Sequence, residues 1–122
     1  MFSLESRLQG ATLTLRLTGD VLIPDVVAFN DTMREHSKTP GLTQLVLDLS
    51  QAGKMDLSGL GALVSLNTSM QRYGRRLVLM QIPDHIANLL KKAEIEGFFA
   101  SCESEEELKG FFIQPQRRPE RS

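Results

Sequence analysis

Few side chains in this sequence are of the types that do chemistry. Histidine, the commonest acid–base group near neutral pH, occurs only at His36 and His85. Each stands beside a predicted helix end and reads as a solvated residue rather than a catalyst. Cys102 has acidic neighbours, which raise a thiol pKa and disfavour a nucleophile. Being the only cysteine, it rules out an internal disulfide and any multi-cysteine metal site. Gly59-Leu-Gly61 begins like a dinucleotide fingerprint, but the third glycine of that pattern falls at Val64. Ser58 does not form a nucleophile elbow, which needs glycine at 56 and 60, where Asp56 and Leu60 stand. Glu103, Glu105, Glu106 and Glu107 open a predicted helix, where carboxylates complement the dipole, and read as structural rather than metal-binding. Arg72, Arg75 and Arg76 gather at a helix C-terminus, where the dipole favours cations. No acid–base pair, metal set or cofactor motif is visible, so the expectation is a protein that is not an enzyme and carries no cofactor or metal.

One constellation stands apart. Asp56-Leu57-Ser58-Gly59-Leu60-Gly61 joins the end of a buried strand region to the start of a helix. In open α/β sheets, loops at the carboxyl ends of strands are where ligands and partners meet the protein. Ser58 lies at or near the predicted N-cap, where its hydroxyl accepts from first-turn N–H groups, a contribution of about 1 kcal/mol. Gly59 and Gly61 add a cost, since glycine within a helix is roughly 0.8–1.0 kcal/mol worse than alanine. That cost makes sense where another backbone, in this chain or a partner, comes close. The residues alone fit both a plain cap and a functional loop.

The elements that position this loop follow from periodicity. Phe2 and Leu4, then Leu13, Leu15 and Leu17, alternate with polar residues around a turn at Gln9-Gly10. This predicts an antiparallel hairpin with one buried face, whose second strand stops at Gly19-Asp20. Pro24-Asp25 opens a predicted helix with Val26, Phe29 and Met33 on one face, ending near Ser37 and broken by Thr39-Pro40-Gly41. Leu45 to Leu49 and Leu77 to Met80 read as strands covered on both faces. Between them, residues 58 to 73 predict a helix with Leu60, Leu63, Val64 and Met70 inward and Gly74 as its stop. Pro83 opens another, with Ile86, Leu89, Leu90 and Ala93 inward. A last short strand is placed at Gly97-Phe98-Phe99. Ser104 and Glu107 form a predicted capping box before a final helix through Phe112. The order implies an α/β fold, with an N-terminal antiparallel hairpin, then parallel strands in a mixed sheet, packed with about four α-helices.

The 122 residues suit one domain, expected over 1–113, with a disordered tail over 114–122. Fourteen basic and fifteen acidic residues give a net charge of -1, without the electrostatic signature of a nucleic-acid binder. The N-terminus places charges where a signal peptide needs an apolar run, and no stretch approaches a membrane span. A cytoplasmic domain without membrane insertion is expected.

Leu45-Val-Leu-Asp-Leu49 followed by Met55-Asp-Leu-Ser-Gly-Leu-Gly61 resembles the STAS domain family, and within it the bacterial anti-sigma factor antagonists. Gly74 with a following basic residue and Leu77 to Met80 fit the same pattern. So do Ile86-Ala-Asn-Leu-Leu90 and Ala93-Glu-Ile-Glu-Gly-Phe-Phe99. The resemblance spans about residues 2 to 112. It implies a STAS-like fold and a protein–protein switch, a monomer or weak dimer that does no chemistry itself. In such antagonists the unphosphorylated form binds an anti-sigma factor that is also a serine kinase, releasing a sigma factor. The kinase then phosphorylates the loop residue that maps to Ser58, and a PP2C-type phosphatase resets it. Asp56 maps to the acidic residue before that site, Asp20 to a further acidic contact, and the loop from Asp56 through Leu57, Ser58, Gly59, Leu60 and Gly61 to the partner-binding surface. Leu57 departs from the pattern, which has a small or hydroxylated residue there. The resemblance also admits a non-switching STAS subunit of a lipid ABC transporter, or a stressosome scaffold component.

Overall fold

Leucines at alternate positions build the first half of the sheet. In a computed structural model, which describes residues 1–108, β1 (Phe2–Gln9) and β2 (Thr12–Val21) pair antiparallel from Phe2 with Gly19 to Gln9 with Thr12. Leu13, Leu15 and Leu17 are buried on one side of β2, each worth roughly 1.5–3 kcal/mol of apolar transfer. A 3₁₀ turn over Ile23–Asp25 leads into α1 (Val26–Ser37), followed by β3 (Gln44–Met55), α2 (Leu57–Arg72), β4 (Arg76–Met80), α3 (Asp84–Lys92) and β5 (Ala100–Cys102). The strand order is β1-β2-β3-β4-β5, with every pair after the hairpin parallel. This is the expected mixed sheet.

Three successive crossovers step in the same direction along the sheet, which places their helices on one face when they share a hand. The core agrees. Phe29 and Met33 of α1, Leu60, Leu63, Leu66 and Met70 of α2, and Ile86 and Leu90 of α3 join the odd-numbered leucines of β2, β3 and β4 in one cluster. The opposite face carries a smaller cluster of Val46, Val78, Met80, Cys102 and Leu108. Beside it a cleft of about 550 Å³ opens among polar groups that include the Arg16–Asp48 ion pair (3.4 Å) and the Arg7–Glu105 ion pair.

Three boundaries and one buried face differ from the sequence reading. β2 continues to Val21 instead of stopping at Gly19-Asp20, because β3 supplies a parallel partner up to Met55 and two bulges absorb the bend. Gly19, at φ +95°, makes this possible: a Cβ there would lie 2.4 Å from the Met1 carbonyl oxygen. β3 correspondingly outruns Leu45–Leu49. Its second half pairs only with β2, since β4 ends opposite Asp48, so it loses the apolar signature of a doubly covered strand. Val64 is only half-buried, and Leu66 and Asn67 occupy the inner face of α2 with Leu63. The last strand lies at Ala100–Cys102, not Gly97-Phe98-Phe99. Phe99 drops from a turn into the core, in edge-to-face contact with Phe98. At Ser104 the expected cap is present, its Oγ accepting the Glu107 N–H at 3.3 Å. The helix beyond Leu108, the boundary at 113 and the 114–122 tail lie outside the described residues.

Candidate functional site

The loop between β3 and α2 is organised by Asp56 rather than by Ser58. Asp56 takes an extended conformation (φ -110°, ψ -176°) at the N-cap of α2. One carboxylate oxygen accepts the N–H groups of Ser58 at 3.1 Å and Gly59 at 3.2 Å, together with the Ser58 hydroxyl proton. The other accepts the Ile23 N–H at 3.0 Å, fastening the 3₁₀ turn to the start of α2. Ser58 is therefore the second residue of the helix and a donor, not the accepting cap that its type suggested. A charged acceptor with two oxygens outcompetes a neutral hydroxyl for the same orphan N–H groups. The Ser58 hydroxyl bond, followed by the backbone donors, holds the Asp56 carboxyl below its ordinary value.

Two further carboxylates join it at the carboxyl end of β2. Asp20 accepts the Lys54 N–H at 2.7 Å and lies across Gly53, where a Cβ would be 2.1 Å from its oxygen. The pairing of Gly19 with Ala52 and Val21 with Met55 sets Asp20 beside the strand that leads into Asp56. Asp25, which the sequence presents only as a helix opener, accepts the Leu22 N–H at 3.1 Å and pairs with the N-terminal ammonium at 3.2 Å. The Leu22 bond first, then the ammonium, lowers its pKa. All three acids are thus tied into the backbone of this end.

Around them lies exposed apolar surface. Leu57 is 63 % exposed, Ile23 72 % and Val27 73 %. Ile23 and Val27 are four residues apart across the start of α1, and the Ile23–Asp56 bond sets that turn against Leu57. Sequence reasoning passed over this pair, although Ile23 and Val27 fall off the Val26, Phe29, Met33 stripe, which is itself a signal. Leu60, by contrast, is 2 % exposed and belongs to the core, as its place on the inward stripe of the helix predicts; it supports the loop from below.

The two glycines separate. A Cβ on Gly59 would stand 3.0 Å from the Val21 carbonyl oxygen and 3.0 Å from Met55 Cγ, so this glycine serves close packing within the chain. Gly61 is exposed and a Cβ on it would meet nothing within 4 Å. The intramolecular reason for one glycine does not extend to the other.

The remaining candidates scatter. His85 Nε2 is 2.7 Å from the Gly53 carbonyl oxygen, near this end but on its rim. Cys102 is buried on the opposite face, and burial, with Glu107 second, pushes its thiol up. Of the three arginines, Arg72 ends α2 and Arg76 begins β4, while Arg75 turns back to donate to the Ser37 carbonyl of α1. Glu105 pairs with Arg7. Among the described residues no three His, Cys, Asp or Glu side chains are grouped to hold a metal ion, and no helix is long and apolar enough to cross a membrane.

Comparison with known proteins adds two findings. A family model described as "Mlab, STAS domain" matches residues 4–100. Solved structures similar to the chain include an anti-sigma factor antagonist from Mycobacterium paratuberculosis, at TM-score 0.79 and 10 % identity, covering 93 % of this chain and 96 % of that one. The Bacillus cell fate determinant SpoIIAA in its phosphorylated form matches at TM-score 0.66 and 16 % identity, over 90 % and 98 %. An anti-sigma factor antagonist STAS domain from Rhodobacter sphaeroides matches at TM-score 0.54 and 26 % identity, over 64 % and 84 %.

Proposed function

The chain belongs to the STAS domain family, and on that premise we propose that it is an anti-sigma factor antagonist controlled by phosphorylation at Ser58. One observation carries the reading: a serine hydroxyl bonded to the N-cap carboxylate, bordered by exposed Leu57, Ile23 and Val27. Apolar side chains beside a modifiable hydroxyl make a surface that a protein partner covers and that a new charge disrupts. The similarity to antagonist structures, one of them phosphorylated, supports it.

In the unphosphorylated state the partner, an anti-sigma factor that is also a serine kinase, covers Leu57, Ser58 and Gly61, with Asp20 and Asp56 at the edge. Phosphorylation adds about -1.5 to -2 charge at Ser58. It also removes the proton that Ser58 donates to Asp56 and sets an anion against a carboxylate. Each 1.4 kcal/mol of resulting repulsion lowers affinity tenfold. A PP2C-type phosphatase restores the serine. The chain itself contributes binding, not catalysis, and works in the cytoplasm.

The reading is tested by intact mass and site mapping of the protein from its native cells under phosphatase inhibition, in growth and in stress. A condition-dependent increase of about 80 Da on Ser58, one phosphate, is expected. Its absence under both conditions favours a constitutive STAS subunit held by one partner, such as that of a lipid ABC transporter. Exposed Leu57, where antagonists have a small residue, is the observation that favours this second reading.

A further inference from the structure

The far end of the α1–α2 pair holds a second feature, independent of Ser58. A small pocket of about 80 Å³ lies between the C-terminal ends of the two helices, lined by Arg34, Lys38, Arg75, Ser37, Ser69 and Tyr73 among others. Sites that enclose drug-sized molecules run to about 300–1,000 Å³, so this one fits a single functional group. We propose that it binds a tetrahedral phosphate group.

The charges support this. Arg34, Lys38 and Arg75 contribute three positive charges, and none is in an ion pair within the described residues. Cations at helix C-termini have an ordinary explanation in the helix dipole, so the magnitudes must decide. Two helix ends supply roughly -0.5 each, which offsets about one of the three charges. About +2 remains, close to the -1.5 to -2 of a phosphomonoester.

The geometry is also held ready. Arg34 donates to Ser65 Oγ at 3.0 Å and Arg75 donates to the Ser37 carbonyl. Each bond uses one of five guanidinium N–H groups and leaves the rest of a planar fork for oxyanion contact. Both arginines are only partly exposed, and Tyr73 is open to solvent beside them. The same chemistry comes from a free phosphate compound or from a phospholipid headgroup.

The test has two arms. In the first, amide shifts of the full chain are followed by NMR as inorganic phosphate replaces chloride at constant ionic strength. Saturating shifts at Lys38, Tyr73, Gly74 and Arg75 are expected, and Lys38→Gln, an exposed position with no side-chain bond to lose, weakens binding at least threefold. Arg34→Gln combined with Lys38→Gln weakens it about tenfold. In the second arm the chain is floated with phosphatidic acid vesicles against phosphatidylcholine vesicles. Saturable binding of inorganic phosphate without vesicle retention identifies a soluble ligand. Retention lost in the double variant, without response to inorganic phosphate, identifies a headgroup. Response in both arms, lost in the variants, supports the site for either source. Shifts that do not saturate, that centre on Ser58 and Gly59, or that survive both substitutions overturn the proposal, as does silence in both arms.

Discussion

At one end of the α1–α2 pair, Asp25 and Asp56 accept backbone N–H groups of the turns they cap. At the other, Arg34 and Arg75 donate to one neutral oxygen each and face outward with Lys38. Helix N-termini ordinarily attract anions and C-termini repel them. Here the carboxylate of Asp56 already fills the N-terminal donors of α2, so an incoming anion at Ser58 meets an occupied site. At the C-terminal end the cations exceed what the dipoles need. On the two proposals above, the polarity of the helix pair is inverted for an external charge, and the two ends would respond to phosphate in opposite ways.

The largest expected effect breaks the comparison directly. Ser58→Asp is expected to lower affinity for the proposed partner, an anti-sigma factor kinase, by about 100-fold or more, since two factors of ten need only about 2.8 kcal/mol. Arg34→Gln, an equal charge change of -1 at the far end, leaves that affinity within about twofold. Calorimetric titration of both variants decides it: equal losses mean that net charge rather than position governs binding. Leu57→Ser follows, with a loss of roughly tenfold expected from removing an apolar anchor at a desolvated centre. Its Tm stays unchanged, because Leu57 is exposed in the free chain.

Acid sensitivity distinguishes the two ends next. Asp25 and Asp56 are both lowered from 3.8 in the folded chain, so each binds protons more weakly folded than unfolded. Their contribution to stability is complete above the ordinary carboxylate value, and is lost as pH falls through that value and the lower folded one. A thermal melt series from pH 6 to pH 2 is therefore expected to show an acid limb. Asp56→Ala lowers Tm by roughly 5 °C at pH 6, the scale of a lost cap, and flattens that limb. A limb of unchanged slope in this variant removes Asp56 as its source.

The comparison also shows what the chain discloses before folding. The Val26, Phe29, Met33 stripe and the Leu77 to Met80 run were legible, because burial on a single face or on both faces leaves a direct periodic trace. The second half of β3 was not, since Gln51, Ala52 and Met55 pair with β2 alone, Gly53 and Lys54 fall in a bulge, and the segment carries no apolar run. At the site, the segment Asp56 to Gly61 was found from residue types, but the division of labour within it was not. Aspartate and serine are both good caps, and only the placement of Ile23 opposite the second carboxylate oxygen settles which one accepts. The basic pocket was half visible: Arg72, Arg75 and Arg76 were grouped along the chain, whereas Arg34 and Lys38 arrive from α1 through tertiary packing.

The smallest effect is the sharpest, because it separates two glycines two residues apart. Gly59→Ala brings a methyl group to 3.0 Å from the Val21 carbonyl oxygen and from Met55 Cγ; these neighbours, one of them backbone, must give by a few tenths of an ångström, and Tm is expected to fall. Gly61→Ala meets nothing within 4 Å and gains roughly 0.8–1.0 kcal/mol of helix propensity, so Tm rises by a few degrees. No contact within the chain requires glycine at this exposed position beside Leu57 and Ser58, which fits the proposed close approach of a partner there. Gly61→Ala is therefore expected to lose partner affinity by several-fold while becoming more stable, the opposite sign in two measurements on one variant. If affinity holds while Tm rises, the space over Gly61 is not where the partner's backbone comes close, and the binding surface retreats to Leu57 and the Ile23–Val27 side of the loop.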